Sequence, residues 1–352
     1  MKIEFINHKS CILFVFIVAC LLSPRISLSE SDLPDDNLAY PVLLISKEGG
    51  TGSGFFYNKD EAIYLITARH VLFNETSIRV PEAVIVPKNL RCKLYCIEDK
   101  GKKDKKEFIL TFYGVMLESE KNELIKATPK TDNFNFIPVI ERLYKESQKL
   151  KLRSTELTLF SYDRKVNKGG INEFEVQLMD LYNNGQIKYH PTHDVAFIRI
   201  GIPKKVKGED IMKLQKGVIK KQGTGVGGLS KDNFKLFKDV IVGNQVFVFG
   251  YPTSISGINP WLDTKLPLLR KGTIAGKNEN LNAIILDCPA FQGNSGGLVI
   301  EVEQESIDKI KYKAIGLITN LVPYAGAWIQ NSGYSIVVPM DFVEELLNAQ
   351  SK

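Results

Sequence analysis

The sequence predicts a mainly β protein made of two antiparallel lobes, with a helix at the C-terminal end. Three observations predict it. Short apolar runs succeed one another along most of the chain, each bounded by Gly, Asn, Asp or Lys, as strands joined by turns are. A helix-like stretch at 210–221 and a Gly-rich stretch at 223–228 part these runs into two halves. The chain's 352 residues are enough for two lobes, each with its own core.

The first element is an export signal over 1–29. Lys2 and Lys9 form a basic start, residues 11–22 are unbroken apolar, and Ser27-Leu28-Ser29 supplies small residues for cleavage. The run is short for a bilayer span, which takes about 20 residues. An uncleaved anchor is one alternative. Another is a lipoprotein anchored at Cys20, although Leu21 and Leu22 carry the apolar run past that cysteine. The expectation is a periplasmic or secreted protein with no stable membrane insertion after cleavage. A polar leader over 30–37 comes next, then apolar runs at 42–45, 55–57 and 62–66.

The stretch 97–175 differs in character. A charge run at 98–106 reads as a solvated loop, and 138–151 reads as a helix with Ile140, Leu143, Tyr144 and Leu150 on one side. A strand pattern resumes at 174–181 and 195–200. Residues 223–228 match the dinucleotide glycine spacing in form only. No clean strand precedes them and no apolar helix follows, so they read as a loop. Runs at 245–249, 270–274, 283–286, 298–302, 314–318 and 334–338 make up the second half. Phe342, Val343, Leu346 and Leu347 share one face of a closing helix. The expected divisions are a first lobe over 38–200, a linker over 201–222 and a second lobe over 223–348.

Composition excludes several functions. The net charge of +6 falls to about +4 once Lys2, Lys9, Arg25 and Glu4 leave with the signal, too little and too scattered for nucleic acid. The chain has four histidines, and His8 goes with the signal, which argues against a histidine-rich metal site. No CxxC pair occurs; Cys92, Cys96 and Cys288 remain, and Cys92 could oxidise to Cys96 only if their backbones approach. Asn74-Glu75-Thr76 is a glycosylation sequon, meaningful only in a glycosylating source.

Three short segments carry chemistry. Leu65-Ile66-Thr67-Ala68-Arg69-His70 delivers a histidine at a strand end; Asp194 stands just before the alternating strand at 195–200; Gly293-Asn294-Ser295-Gly296-Gly297 sets a serine among glycines. Acyl transfer needs these types. A serine hydroxyl is a weak nucleophile and requires a neutral imidazole to take its proton. A carboxylate on the other ring nitrogen fixes the tautomer. The oxyanion needs backbone N–H donors, which the glycines permit at Gly293 and Ser295. Asp163 and Asp180 are fallback acids without so clear a strand after them, and His190 and His193 read as loop residues. Cys288 reads as a small buried residue.

The order His70, Asp194, Ser295 resembles that of the trypsin-like serine peptidases, most closely the HtrA type. Gly52-Ser53-Gly54-Phe55-Phe56 is similar to that group's lead-in to the histidine, and Gly250-Tyr251-Pro252 to its strand end. Arg270-Lys271-Gly272-Thr273-Ile274 is similar to its strand before the nucleophile, and Tyr334 to Pro339 to its last pocket strand. The resemblance covers 41–75 and about 190–345. It implies a trypsin-like fold of two six-stranded barrels and a serine endopeptidase without a cofactor. His70, Asp194 and Ser295 would be the triad, Gly293 and Ser295 the oxyanion hole, and Thr319 a residue that helps hold the acid. The long stretch between His70 and Asp194 implies an insertion in the first lobe, about 97–175, decorating its surface. No PDZ domain fits after 345, and no Ile-Val-Gly-Gly activation terminus is present.

By the same resemblance, Phe291, Thr319, Leu321 and Tyr334, with Ala290 and Ser335, line the first specificity pocket. Pro289 stands where Arg/Lys-specific relatives carry an aspartate. No acid or histidine falls in these segments, so small or medium apolar residues are the expected fit. The partner implied is a protein or peptide substrate. Two rivals stay open: a catalytically silent peptide binder and an ester hydrolase.

Overall fold

The structure is a computed structural model, and it describes residues 40–80, 85–87, 90–98, 106–128, 135–163, 170–206, 209–223, 226–256, 259, 261–306, 309–325 and 329–349. The expected signal, its alternative anchors and the leader lie outside these residues. In chain order the first half forms β1 (Pro41–Ser46), β2 (Thr51–Lys59), β3 (Ala62–Thr67), α1 (Arg69–Leu72), β4 (Thr76–Val80), β5 (Cys92–Glu98) and β6 (Lys106–Phe112). It continues with α2 (Glu118–Ala127), α3 (Ile137–Ser147), β7 (Glu156–Asp163), β8 (Gly170–Gln177), α4 (Leu178–Asn183), β9 (Ile187–Tyr189), β10 (Ala196–Val206), β11 (Glu209–Leu214) and β12 (Val218–Gln222). The second half forms β13 (Gln245–Gly250), α5 (Thr253–Ser256), β14 (Leu268–Asn278), β15 (Ala283–Asp287), β16 (Leu298–Ser306), β17 (Lys309–Ala325), β18 (Ile329–Pro339) and α6 (Met340–Asn348).

Two β-lobes result, as expected. The second is a closed barrel in the order β13-β14-β15-β18-β17-β16, six strands as expected. The first is a nine-stranded antiparallel sheet, β11-β10-β3-β2-β1-β7-β8-β12, with β9 on β10. This sheet curls without closing, which corrects the expected six-stranded barrel. Leu65 of β3, Leu159 of β7, Phe174 of β8 and Val218 of β12 still share one core inside the curl.

Strand periodicity of two decides what each central side chain meets. On β3, Ile63 and Leu65 face the interior of the first lobe, while Ala62, Tyr64 and Ile66 face a second core. That second core lies between the lobes and includes Phe247, Phe249 and Leu298 of the barrel and Phe342, Val343 and Leu346 of α6. On and just before β10 the same split holds: Ala196, Ile198 and Ile200 face inward, Val195 and Phe197 outward. Strands covered on both faces read as unbroken apolar runs, which is how they stood out in the sequence.

Three expectations are corrected, and one open cysteine pairing is decided. Residues 210–221 are not helical. They are β11 and β12, because Gly217 (φ +94°) turns the chain between them and β11 pairs with β10. Residues 201–222 thus belong to the first sheet rather than to a linker. The run 174–181 is half strand: after Gln177 the chain turns into α4, whose Leu178 and Leu181 pack into the first-lobe core. The insertion is not 97–175. Strands β4, β6 and β5 form a separate three-stranded sheet, and with α2 and α3 they enclose their own core of Ile78, Leu110, Phe112, Leu124, Ile140 and Leu143. This inserted subdomain starts at β4 and ends with α3, while β7 and β8 are lobe strands paired to β1 and β12. Lastly, Cys92 and Cys96 lie four residues apart on β5, about 13 Å along a strand, too far for a disulfide; Cys92 is a buried free thiol.

The position of β8 is testable. Phe174 is fully buried in the first-lobe core and packs edge-on to Phe56 at 6.4 Å between centroids. Phe174→Ala is expected to destabilise the protein by about 3–5 kcal/mol, read from denaturant midpoints. A cost under about 1 kcal/mol would place this segment on the surface after all.

Candidate active site

The doubly buried β3 ends at Thr67, and Ala68 (ψ 138°) is the extended residue from which the single turn α1 starts. The turn puts His70 at the mouth of the cleft. Asp194 stands two residues before the start of the doubly covered strand β10, which pairs with β3 through Ala196 and Thr67. Adjacent strand ends therefore bring the two side chains together. His70 Nδ1 lies 2.6 Å from Asp194 Oδ2, and the His70 backbone N–H donates to Asp194 Oδ1 at 3.0 Å. Both carboxylate oxygens are engaged by one residue, which fixes the ring orientation and leaves Nε2 free to face the cleft.

The electrostatics follow from that contact. Burial disfavours the His70 imidazolium, but the charge and hydrogen bond of Asp194 outweigh it, and the His70 pKa is raised above its ordinary value of 6.5. Burial likewise opposes ionisation of Asp194, yet His70 and then the Arg69 guanidinium hold its carboxyl down at about 2. Asp194 is therefore ionised near neutral pH.

Ser295 sits in the turn between β15 and β16. Asn294 N–H donates to Phe291 O at 2.9 Å with Gly293 at φ +99°, the geometry of a type II turn. A side chain at Gly293 would strike Tyr251 O, and one at Gly296 (φ +88°) would strike Ser53 O. Asn294, Gly296 and Gly297 donate their N–H groups within the protein. Among the described residues, the N–H groups of Gly293 and Ser295 donate to no protein acceptor. His70 and Ser295 line one cavity of about 300 Å³, without a hydrogen bond between them in this resting geometry.

Ser53 ties the two lobes together at this point. Its N–H donates to Ser295 O at 2.8 Å, and its O accepts from Thr67 Oγ1 at 2.7 Å. Its hydroxyl donates to Gly293 O at 2.7 Å and accepts from Tyr251 N–H at 3.0 Å. The side chain is fully buried.

Of the expected residues, the structure brings His70, Asp194, Ser295 and Gly293 together. Phe291, Thr319 and Leu321 line the same cavity with Ala290, Gln292, Ile318, Asn320 and Pro323. Tyr334 does not; it pairs with Asp287 on the outside of β18 and is 44% exposed. Ser335 is buried and donates to Cys288 O instead. Thr319 does not hold the acid, since its hydroxyl points at Ile336 O, 3.5 Å away. Asp163 ends β7 and Asp180 lies on α4, neither in the cavity. His190 and His193 are packed residues rather than loose loop. His193 stacks on Phe342 at 3.3 Å, and His190 Nδ1 accepts from the N–H groups of Thr192 and His193. Burial pushes both histidines below the ordinary value, His193 to about 3.

Sequence reasoning missed three residues. Lys93 of the inserted subdomain lines the cavity from the first-lobe side. Arg69 is only 2% exposed and donates to the carbonyls of His190 and His193 at 2.9 and 2.7 Å. Arg91 reaches the carbonyls of Pro191 and Thr192, both at 3.1 Å. Only Arg69 left a trace, as a charge inside an otherwise apolar strand end.

No family model and no curated protein matches the chain. Among solved structures it is similar to the HtrA-type protease AlgW with a tripeptide, at 12% identity and a TM-score of 0.40, over 89% of this chain and 60% of that one. It is similar to Deg5 at 15% identity and a TM-score of 0.39, over 88% of each chain. It is also similar to the protease Anisep from Arthrobacter nicotinovorans, at 11% identity and a TM-score of 0.38, over 88% of this chain and 93% of that one.

Ser53→Ala would leave Gly293 O and the Tyr251 N–H buried without a partner. A loss of about 2 kcal/mol is expected, measured by chemical denaturation. A change below about 0.5 kcal/mol would remove Ser53 as the tie between the lobes.

Proposed function

We propose that this chain is a serine endopeptidase working through an acyl-enzyme. One observation carries the reading: the His70–Asp194 pair opens on the cavity that holds Ser295, whose turn leaves the N–H groups of Gly293 and Ser295 unused. Ser295 Oγ attacks the peptide carbonyl while its proton moves to His70 Nε2. Asp194 keeps the other proton on Nδ1 and stabilises the imidazolium. The oxyanion takes hydrogen bonds from the two free N–H groups. The C–N bond then breaks as His70 returns its proton to the leaving amine. Water, deprotonated by the same ring, releases the acyl group, and no step calls for a cofactor.

The pocket beside Ser295 is lined by Ala290, Phe291, Ile318, Thr319, Leu321 and Pro323, with no carboxylate among its described residues. A basic side chain would enter it unpaired, at a cost of several kcal/mol, and Lys93 at the mouth adds repulsion. Small or medium apolar residues such as Val, Ala or Leu before the scissile bond suit it best. The substrate is a protein or peptide. Among the described residues no helix is long and apolar enough to cross a membrane. The basic start and the apolar run at 11–22 support export to the periplasm or outside the cell.

Five outcomes test this reading. A fluorophosphonate labels Ser295 alone, and Ser295→Ala folds and loses the label; undiminished labelling would move the nucleophile elsewhere. Cleavage of casein beside indifference to short esters separates a peptidase from an ester hydrolase, and no labelling at all would indicate a silent binder. His70 must be neutral to act as base and its pKa is raised, so kcat/KM falls as pH drops through an apparent pKa above 6.5. Asp194→Asn lowers kcat by about 10⁴; a loss under tenfold would point to another acid. A peptide-library digest reads the pocket, and dominant cleavage after Arg, Lys or Glu would refute its assignment.

A further inference from the structure

We propose that the inserted subdomain positions the catalytic acid: Arg91, acting with Arg69, suspends residues 190–193, the turn that delivers Asp194, from the segment 113–116. This rests on the triad reading above. All four carbonyls of the turn are held. Arg69 takes those of His190 and His193, and Arg91 takes those of Pro191 and Thr192. Val115 N–H of the subdomain adds a bond to Pro191 O at 3.1 Å.

Arg91 is itself fixed within the subdomain. Its Nε and Nη2 meet the two oxygens of Glu120 at 3.0 and 2.7 Å, and it donates to Tyr113 O and Val115 O at 3.1 and 2.9 Å. Its guanidinium stands over the Phe112 ring at 5.1 Å. Arg69 contacts the same segment: a Cβ on Gly114 (φ +92°) would lie 2.8 Å from its guanidinium, and Gly114 N–H donates to Glu75. Two planar forks thus clamp the backbone just before the acid against a body with its own core.

Residues 190–193 are not among those that line the cavity. Their influence passes through Asp194 to His70, which makes Arg91 a positioning residue. A displacement of about 1 Å in such a group can cost 10²-fold in rate. Around the pair, the charged or titratable groups are Arg69 and Glu75 beside it, Arg153 after α3, and His190 and His193 in the turn.

The test uses the full chain with Arg91→Ala and Arg91→Lys. Lys keeps the charge and the stem but gives up the fork, so it separates geometry from charge. It also carries the test where Ala does not fold. The expected result is kcat per fluorophosphonate-titrated site down about 10²-fold, KM for a short peptide unchanged, and the acid limb of kcat/KM moved down toward 6.5. The His70 pKa, followed by NMR titration without turnover, falls in Arg91→Lys as Asp194 loosens. That measurement stands even where the peptidase reading fails, since it needs no substrate. A merely structural role would lower the titrated fraction or the Tm and leave both pKa values in place. An unchanged His70 pKa with unchanged kcat per site in folded Arg91→Lys overturns the proposal.

Discussion

The site depends on a single fully buried serine. Ser53 leaves β2 of the first lobe and uses its N–H, its carbonyl and both roles of its hydroxyl at once. Two of these bonds go to the Gly293–Gly297 turn of the second lobe, at Ser295 and Gly293, one to the end of β13 at Tyr251, and one to Thr67 just before the turn that carries His70. A buried polar group left unpaired is more costly than a paired one is favourable, so the network locks as a unit. Gly296 exists to admit it: any side chain there would collide with Ser53 O. The placement of His70 against Ser295 is therefore decided by hydrogen bonds between lobes as well as by apolar packing.

Around that tie the charges are arranged so that none is buried alone. Asp194 is ionised with both oxygens on His70, and Arg69 lies close enough to favour its charge. Arg69 is in turn answered by backbone carbonyls and by Glu75. Removing one member would expose the others to the full penalty of desolvation. The two histidines beside the acid are kept neutral by burial against Phe342. The C-terminal helix thus bears on the same turn as the inserted subdomain.

The inserted subdomain changes meaning between sequence and structure. Its charge run, weak helix and lack of resemblance suggested decoration. Its apolar residues instead build a separate core, and its surface toward the lobe is polar and specific, with Arg91 and Val115 both bonded to one turn and Gly114 set against Arg69 and Glu75. Lys93 carries the subdomain to the edge of the cavity.

The sequence by itself determined the strand-rich class, the closing helix and the local settings of His70, Asp194 and Ser295. Each of these is written in a few neighbouring residues: a two-sided apolar strand that ends on a histidine, an aspartate before another such strand, a serine among glycines. It did not determine that 209–222 would be strands, since an amphipathic stretch with a central glycine becomes β only when β10 and β8 are there to pair with it. Nor did it show that the first sheet stays open, that Thr319 turns away from the acid, or that two arginines suspend the turn before Asp194. Those were decided by the tertiary structure, because they are contacts between residues far apart in the chain. Ser53 and Gly293 lie 240 positions apart, and Arg69 meets His193 across 124. Local pattern encodes which side chains a strand end offers, whereas the partner each one finds depends on how the whole chain packs.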